Sequence, residues 1–165
     1  MSTTDDNLLA SDQARRLIQF IRSEIPLAKA MDLQLGRYDG DTLSLWAPLP
    51  PNVNDKGCAF GGSLVSLMTL SGWALVEMAL RRAGLDCDVF VAESSVRYLA
   101  PVWQDFRSEA RLADEASWST FFTTLAARGR ARITVECVVP GEGGQPAATL
   151  NARFVAKQRE RTPAA

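Results

Sequence analysis

The sequence contains no histidine. Histidine is the commonest general base at neutral pH and a frequent metal ligand, so its absence excludes Ser–His–Asp and Cys–His catalytic groups and histidine-containing zinc sites. The three cysteines, Cys58, Cys87 and Cys137, are widely spaced and form no C-x-x-C pair. We therefore expect reduced thiols, no metal site and no cofactor, with any chemistry left to hydroxyls, amides, carboxylates or backbone groups.

The chain also lacks an excess of charge of either sign. Its 18 basic and 19 acidic residues give a net charge of -1, so we expect no nucleic acid partner. The first ten residues carry no basic signal-peptide segment, and we expect a cytoplasmic protein. A length of 165 residues suits one folded domain over 11–158, with a disordered N-terminus over 1–10 and a flexible tail over 159–165.

One long segment, 57–80, holds a single charged residue, Glu77. Its length approaches that of a membrane span. Glycine, serine and threonine dilute its hydrophobicity, however, and no aromatic or basic belt flanks both of its ends. A helix that is apolar nearly all round in a soluble chain is a buried helix. We therefore predict a buried helix over 61–82 and no membrane span.

The spacing of apolar residues outlines the rest of the fold. Helical spacing predicts an amphipathic helix over 12–24 and a short helix starting near Trp118, with Ser117 to cap it and Gly129 just past its end. Alternation predicts strands at 33–35, 42–47, 88–99, 106–112, 131–139 and 149–157. The expected class is α+β: a curved antiparallel sheet around a long central helix, with an N-terminal helix and a short helical insertion.

The polar loop before the predicted central helix, NDKGCAFGGS over 54–63, is the best candidate for a functional site. The first amides of a helix have no intrahelical partner and lie at the positive end of its dipole, so they can hold an oxyanion. Gly61 and Gly62 would let a ligand carbonyl approach the backbone closely. The alternative is a glycine-rich helix start that merely packs against the sheet, and the spacing alone leaves both interpretations open.

The run Asn54-x-x-Gly57-x-x-Phe60-Gly61-Gly62, with the apolar helix after it and the VRYLAP segment at 96–101, resembles the hotdog-fold acyl thioesterases. The NDKG, FGGS and SGW elements resemble more closely the YiiD C-terminal-domain type of thioesterase. The resemblance covers residues 25–157. It implies the hotdog fold, acyl-CoA or acyl carrier protein thioesters as substrates, and a homodimer or dimer of dimers with active sites between subunits near the helix N-terminus.

Carried over residue by residue, the resemblance places the family's asparagine on Asn54 and its oxyanion glycine on Gly61. Two positions depart from the phenylacetate-type hotdog thioesterases, which often have histidine where this chain has Phe60 and a helix aspartate where it has Thr69. That aspartate is the usual base or nucleophile. Hydrolysis here would need another group, so Asp55 joins Asn54, Gly61 and Thr69 as a catalytic candidate.

Asp55 also has a plain structural interpretation, as a loop residue that caps a turn beside Lys56. A second carboxylate, Glu93, lies on the strand that this fold places at the dimer contact, and a partner subunit could supply it. We group Glu93 with Phe60, Gly62 and Ser63 as candidate substrate contacts. Ser63 is not expected to be a nucleophile, because no histidine is present to activate it.

Two other functions fit the same residues. Decarboxylation of a malonyl thioester on acyl carrier protein, which yields the acetyl thioester for fatty acid synthesis, needs no activated water. The amides of Gly61 and Gly62 could stabilise the enolate, Asn54 and Thr69 could orient the substrate, and Phe60 would disfavour a buried carboxylate. The other alternative is a non-catalytic acyl-thioester binding or sensor protein.

Overall fold

The computed structural model describes residues 3–160. Its helices and strands are, in chain order, α1 Thr3–Glu24, α2 Pro26–Ala30, β1 Gln34–Tyr38, β2 Leu43–Ala47, α3 Gly61–Arg82, β3 Cys87–Tyr98, β4 Phe106–Leu112, α4 Trp118–Arg128, β5 Arg130–Pro140 and β6 Pro146–Gln158. Two short 3-10 turns, Pro50–Asn52 and Glu142–Gly144, lie in the connections.

The six strands form one antiparallel sheet in the order β1-β2-β4-β5-β6-β3. Its inner face and α3 make the core, in which Phe154 of β6 packs beside Gly72 of α3. A β-carbon at Gly72 would lie 2.9 Å from Phe154 Cε2, so glycine there lets the helix approach the sheet closely. This is the predicted curved sheet around a long central helix, and the hotdog architecture is confirmed.

The central helix α3 has the predicted bounds. Its mean hydropathy of 1.5 and its length would also suit a membrane span, but 61% of the apolar window is buried inside the fold, as in a core helix. Most of its large apolar side chains, among them Leu67, Met68 and Leu75, are fully buried. A buried hydrogen bond of 2.6 Å joins Ser71 of α3 to Ser108 of β4 and links the helix to the sheet.

The short helix α4 also confirms its sequence signals. The Ser117 hydroxyl accepts a hydrogen bond from the Thr120 N–H at 3.3 Å, and Gly129 takes the left-handed conformation just past the last turn. Glycine reaches that conformation without the steric penalty of a β-carbon, so the helix ends there. The rings of Trp118, Phe121 and Phe122 then pack on one another.

The start of α1 corrects the sequence prediction. The helix begins at Thr3, so it runs through residues 3–10, which were expected to be disordered, and Ser11 lies inside it. The physical reason is that no proline or glycine interrupts the chain between residues 3 and 24. Of the expected flexible tail, residues 161–165 lie outside the described residues, whereas Arg159 forms ion pairs with Asp86 and Asp88.

Candidate functional site

The loop that precedes α3 is a hydrogen-bonded unit built around Asn54. Its backbone N–H donates to the Cys58 carbonyl at 2.8 Å, and its side-chain oxygen accepts from the Lys56 N–H at 2.9 Å. Its side-chain nitrogen lies 3.2 Å from the Cys58 sulfur. Gly57 has a φ of +87°, which favours glycine at this turn. The amide of Asn54 therefore stabilises its own loop.

A second asparagine, Asn52, anchors this loop to the body of the protein. Its side chain is 2% exposed and donates to the carbonyls of Met31, at 2.9 Å, and Pro48, at 2.7 Å. Its own backbone carbonyl accepts from the Phe60 N–H at 2.8 Å. Sequence reasoning missed Asn52, because nothing local marks an asparagine whose partners lie up to 21 residues away.

The first turn of α3 leaves its glycine amides without a side-chain cap. Phe60 is the N-cap residue and makes no capping hydrogen bond, as a serine or aspartate would. The N–H groups of Ser63 and Leu64 donate to the Phe60 carbonyl at 2.9 and 3.0 Å. The amides of Gly61 and Gly62 precede these and have no intrahelical acceptor, and the helix dipole places partial positive charge at this end.

A pocket of about 350 Å³ opens beside this turn, between the start of α3 and the end of β3. Its lining residues share a small or apolar character except for one phenol: they are Ala59, Gly61, Leu64, Tyr98, Leu99, Ala100 and Pro101. Tyr98 is the only polar side chain among them. A larger groove, about 660 Å³, lies between α1 and β1, but no predicted site residue lines it.

The ring of Tyr98 lies next to Gly61, the first residue of α3. A β-carbon at Gly61 would lie 3.4 Å from Tyr98 Cε1 and 3.7 Å from Cζ, so the ring half that carries the hydroxyl faces the glycine. No role was predicted for Tyr98 from the sequence, although it belongs to the VRYLAP segment. The VRYLAP segment was the only sequence feature that could have pointed to Tyr98. The fold is needed to show that this segment reaches the N-terminus of α3.

Three predicted substrate contacts surround the same turn. Phe60 is 54% exposed, and its ring packs over the backbone of Gly62. Ser63 is half-buried in the first turn of α3. Gly61 lines the pocket, and Phe60, Gly62 and Ser63 lie close to Gly61 in the chain. Their roles in binding stay predictions.

The two carboxylates predicted for the site, Asp55 and Glu93, lie outside the pocket. Asp55 is 80% exposed and pairs with Lys56 at 2.9 Å. Glu93 is exposed on β3 and pairs with Arg153 of β6. It precedes Tyr98 by five residues, about 16 Å along an extended strand. Neither carboxylate lines the pocket of its own subunit.

Thr69 is half-buried on α3, eight residues beyond Gly61, or about 12 Å along the helix axis. It therefore does not line the pocket either. Glu77 lies a further eight residues, or about 12 Å, along the helix. It is buried and pairs with Arg81 at 3.3 Å. Burial raises the pKa of Glu77, and the ion pair with Arg81 opposes that shift.

The sequence of this chain matches a known protein family over most of its length. Residues 14–158 match the family described as "Putative thioesterase (yiiD_Cterm)", and the chain belongs to this family. The hotdog fold of the chain agrees with this family membership.

Three solved structures are similar in both fold and sequence. A protein of unknown function from Chlorobaculum tepidum is 30% identical, over 90% of this chain and 96% of that chain, with a TM-score of 0.84. A structure described as a "putative thioesterase" from Shewanella oneidensis is 29% identical, over 88% of this chain and 99% of that chain, with a TM-score of 0.78. A probable thioesterase from Pseudomonas aeruginosa is 25% identical, over 90% and 96%, with a TM-score of 0.73.

Proposed function

We propose that this protein is an acyl-thioester hydrolase that binds the thioester carbonyl at the N-terminus of α3. The observation that carries the proposal is the uncapped pair of glycine amides next to an apolar pocket of about 350 Å³. Hydrolysis of a thioester passes through a tetrahedral oxyanion, and fixed backbone N–H groups stabilise that charge without reorganising. The apolar walls keep water from screening the interaction.

Leu99 and Pro101 line the pocket and offer apolar contacts to an acyl group. We propose acyl-CoA or acyl carrier protein thioesters as substrates, in keeping with the family. Neither a charged side chain nor a metal-binding cluster marks the pocket, and among residues 3–160 no group of three His, Cys, Asp or Glu side chains could hold a metal ion.

We also propose that the active protein is a dimer through β3. Within residues 3–160 this twelve-residue strand pairs on one side only, with β6, and its exposed side chains include Phe90 and Val91. Long apolar edge strands invite pairing with another strand. A second copy on β3 would cover this edge, and it would bring the partner's chain close to the pocket at the end of the same strand.

A second candidate is decarboxylation of a malonyl thioester. The absence of any carboxylate from the pocket lining favours it, because this reaction needs no base to activate water. Loss of carbon dioxide leaves an enolate whose negative oxygen is the former thioester carbonyl, and a proton from water, added at the carbon that lost carbon dioxide, completes the acetyl thioester. The same glycine amides would stabilise that oxygen.

Product analysis tests both proposals. The pure protein is incubated with acetyl, malonyl and longer acyl thioesters of coenzyme A and of acyl carrier protein, and the products are identified by mass spectrometry. Free thiol and free acid establish hydrolysis, whereas conversion of malonyl to acetyl thioester establishes decarboxylation. Binding without any product would instead identify a sensor and contradict both.

The search for the base uses two conservative variants, Asp55→Asn and Glu93→Gln. Because both carboxylates are exposed and paired outside the pocket of their own subunit, we expect each variant to retain hydrolysis. Loss of hydrolysis in either one would identify that carboxylate as the base. For Glu93 this would mean that the partner subunit supplies it.

A further inference from the structure

We infer that the Tyr98 hydroxyl is a catalytic hydrogen-bond donor, which contacts the same thioester oxygen as the amides of the α3 N-terminus. The inference rests on the proposed function and adds a side chain to a site otherwise made of backbone groups. Its basis is the position of the phenol ring over Gly61 and the composition of the pocket.

The backbone around Tyr98 is held firmly. Tyr98 is the last residue of β3 and lies opposite Ala148 of β6. Just beyond it, the N–H groups of Leu99 and Ala100 both donate to the Ala147 carbonyl, at 2.8 and 3.1 Å. Because three successive residues are tied to β6, the Cα of Tyr98 has little freedom, and its ring is presented to the pocket from a rigid element.

The ring is directed at the helix start. Three of its carbons, Cε1, Cζ and Cδ1, would lie 3.4, 3.7 and 3.9 Å from a β-carbon at Gly61. Cζ carries the hydroxyl, so the oxygen is one bond away from this contact. Since Gly61 has no side chain, the edge of the ring lies next to the backbone of the first turn of α3, and both residues line the same pocket.

The hydroxyl is available for a substrate. Within residues 3–160 it makes no hydrogen bond, whereas the hydroxyl of Tyr38, the other tyrosine of the chain, accepts one from Arg82 at 3.4 Å. Tyr98 is also the only polar side chain in the pocket lining. A substrate bound there meets two kinds of donor, the glycine amides and this phenol.

The chemistry suits a neutral donor. A tyrosine hydroxyl is a recognised member of oxyanion holes, where it donates without transferring its proton. The acceptor is the oxygen of the tetrahedral intermediate in hydrolysis, or of the enolate in decarboxylation. Charge develops on this oxygen only as the reaction proceeds, so the hydrogen bond strengthens in the transition state and raises kcat more than it lowers KM.

The test is Tyr98→Phe, which removes the hydroxyl and keeps the ring, with Tyr38→Phe as the matched control. Steady-state kinetics are measured on a thioester that the wild-type protein converts. We expect kcat of Tyr98→Phe to fall about a hundredfold, as for loss of one oxyanion donor, with KM little changed. Tyr38→Phe should retain the wild-type kcat, and thermal unfolding and size-exclusion chromatography should show that both variants fold and assemble as the wild type.

Other results would overturn the inference. A wild-type kcat in Tyr98→Phe, or a raised KM with an unchanged kcat, would mean that the ring only packs against the substrate. In that case the proposed function survives, because the wild-type protein is active. A wild-type protein that converts no thioester would overturn the proposed function and this inference together.

Discussion

The ring of Phe60 occupies the space that a β-carbon would need at Gly62, so its nearest ring carbons would overlap with such an atom. The two glycines at the start of α3 therefore have different neighbours, since Gly61 faces Tyr98 and the pocket. Gly62 lets the exposed Phe60 ring fold onto the helix start. Gly61 keeps the approach to the helix amides open.

Gly62→Ala should reveal the contact with Phe60. The new methyl group forces the ring to move, and we expect the free energy of unfolding to fall by about 1 kcal/mol or more. This is the lower end of the usual cost of overpacking, because the Phe60 ring is exposed and has room to move. In a Phe60→Ala background the same substitution should be neutral or stabilising, because alanine is the better helix former. Urea unfolding of the four proteins measures this coupling. An equal loss in both backgrounds would show that the ring does not oppose the methyl group.

Gly61→Ala should separate stability from activity. A β-carbon at this position meets the Tyr98 ring only at ordinary contact distance, so the fold should accept it, with stability unchanged or raised by up to about 1 kcal/mol. The methyl group enters the pocket, however, and we expect turnover of acyl thioesters to fall about tenfold or more. Thermal unfolding and kinetics of the same preparation check the two effects. Full activity would place the thioester carbonyl elsewhere.

The buried pair Ser71 and Ser108 should behave as one unit. Ser71 also donates to the Met68 carbonyl at 2.9 Å, which leaves Ser108 to donate to Ser71. Ser71→Ala removes the hydrogen-bond partner of the buried Ser108 hydroxyl. We therefore expect the free energy of unfolding to fall by about 1 to 3 kcal/mol. The double alanine variant should lose less than the sum of the single variants. Urea unfolding gives the coupling, and strictly additive losses would contradict it.

Glu77 should make stability depend on pH. Burial raises its pKa above the ordinary 4.5, against the opposing effect of Arg81, so the folded state holds the proton more tightly than the unfolded state. The free energy of unfolding therefore contains a contribution that is lost as pH rises from 4.5 through the raised pKa.

The variant Glu77→Gln removes this titration and keeps an acceptor for Arg81. We expect its stability relative to the wild type to improve as pH rises across that window. Unfolding by urea at a series of pH values measures the difference. Glu115→Gln, at an exposed position, controls for the loss of one negative charge. A difference between Glu77→Gln and the wild type that stays constant with pH would refute the expectation.

The elements with strong local signals were predictable from the sequence. The apolar run between Gly61 and Gly84 defines α3, and Ser117 and Gly129 define α4, because caps and apolar spacing act within a few residues. The start of α1 was not predictable in this way. Ser11 is a good N-cap, but nothing in residues 3–10 breaks a helix, so the helix continues past it.

The candidate site was predictable only in part. The loop and the two glycines are local features, and sequence reasoning found them. The pocket, by contrast, joins Gly61 to Tyr98 across 37 positions of the chain, and Asn52 finds its partner Met31 through the fold. Such facts depend on tertiary contacts.

The most direct test of the account is a crystal structure of the protein with an acyl-CoA analogue in which a methylene group replaces the thioester sulfur. The analogue keeps the carbonyl and cannot be hydrolysed. The account predicts its oxygen in the pocket between α3 and β3, about 2.7 to 3.1 Å from an amide nitrogen of Gly61 or Gly62. A carbonyl bound away from the N-terminus of α3 would contradict it.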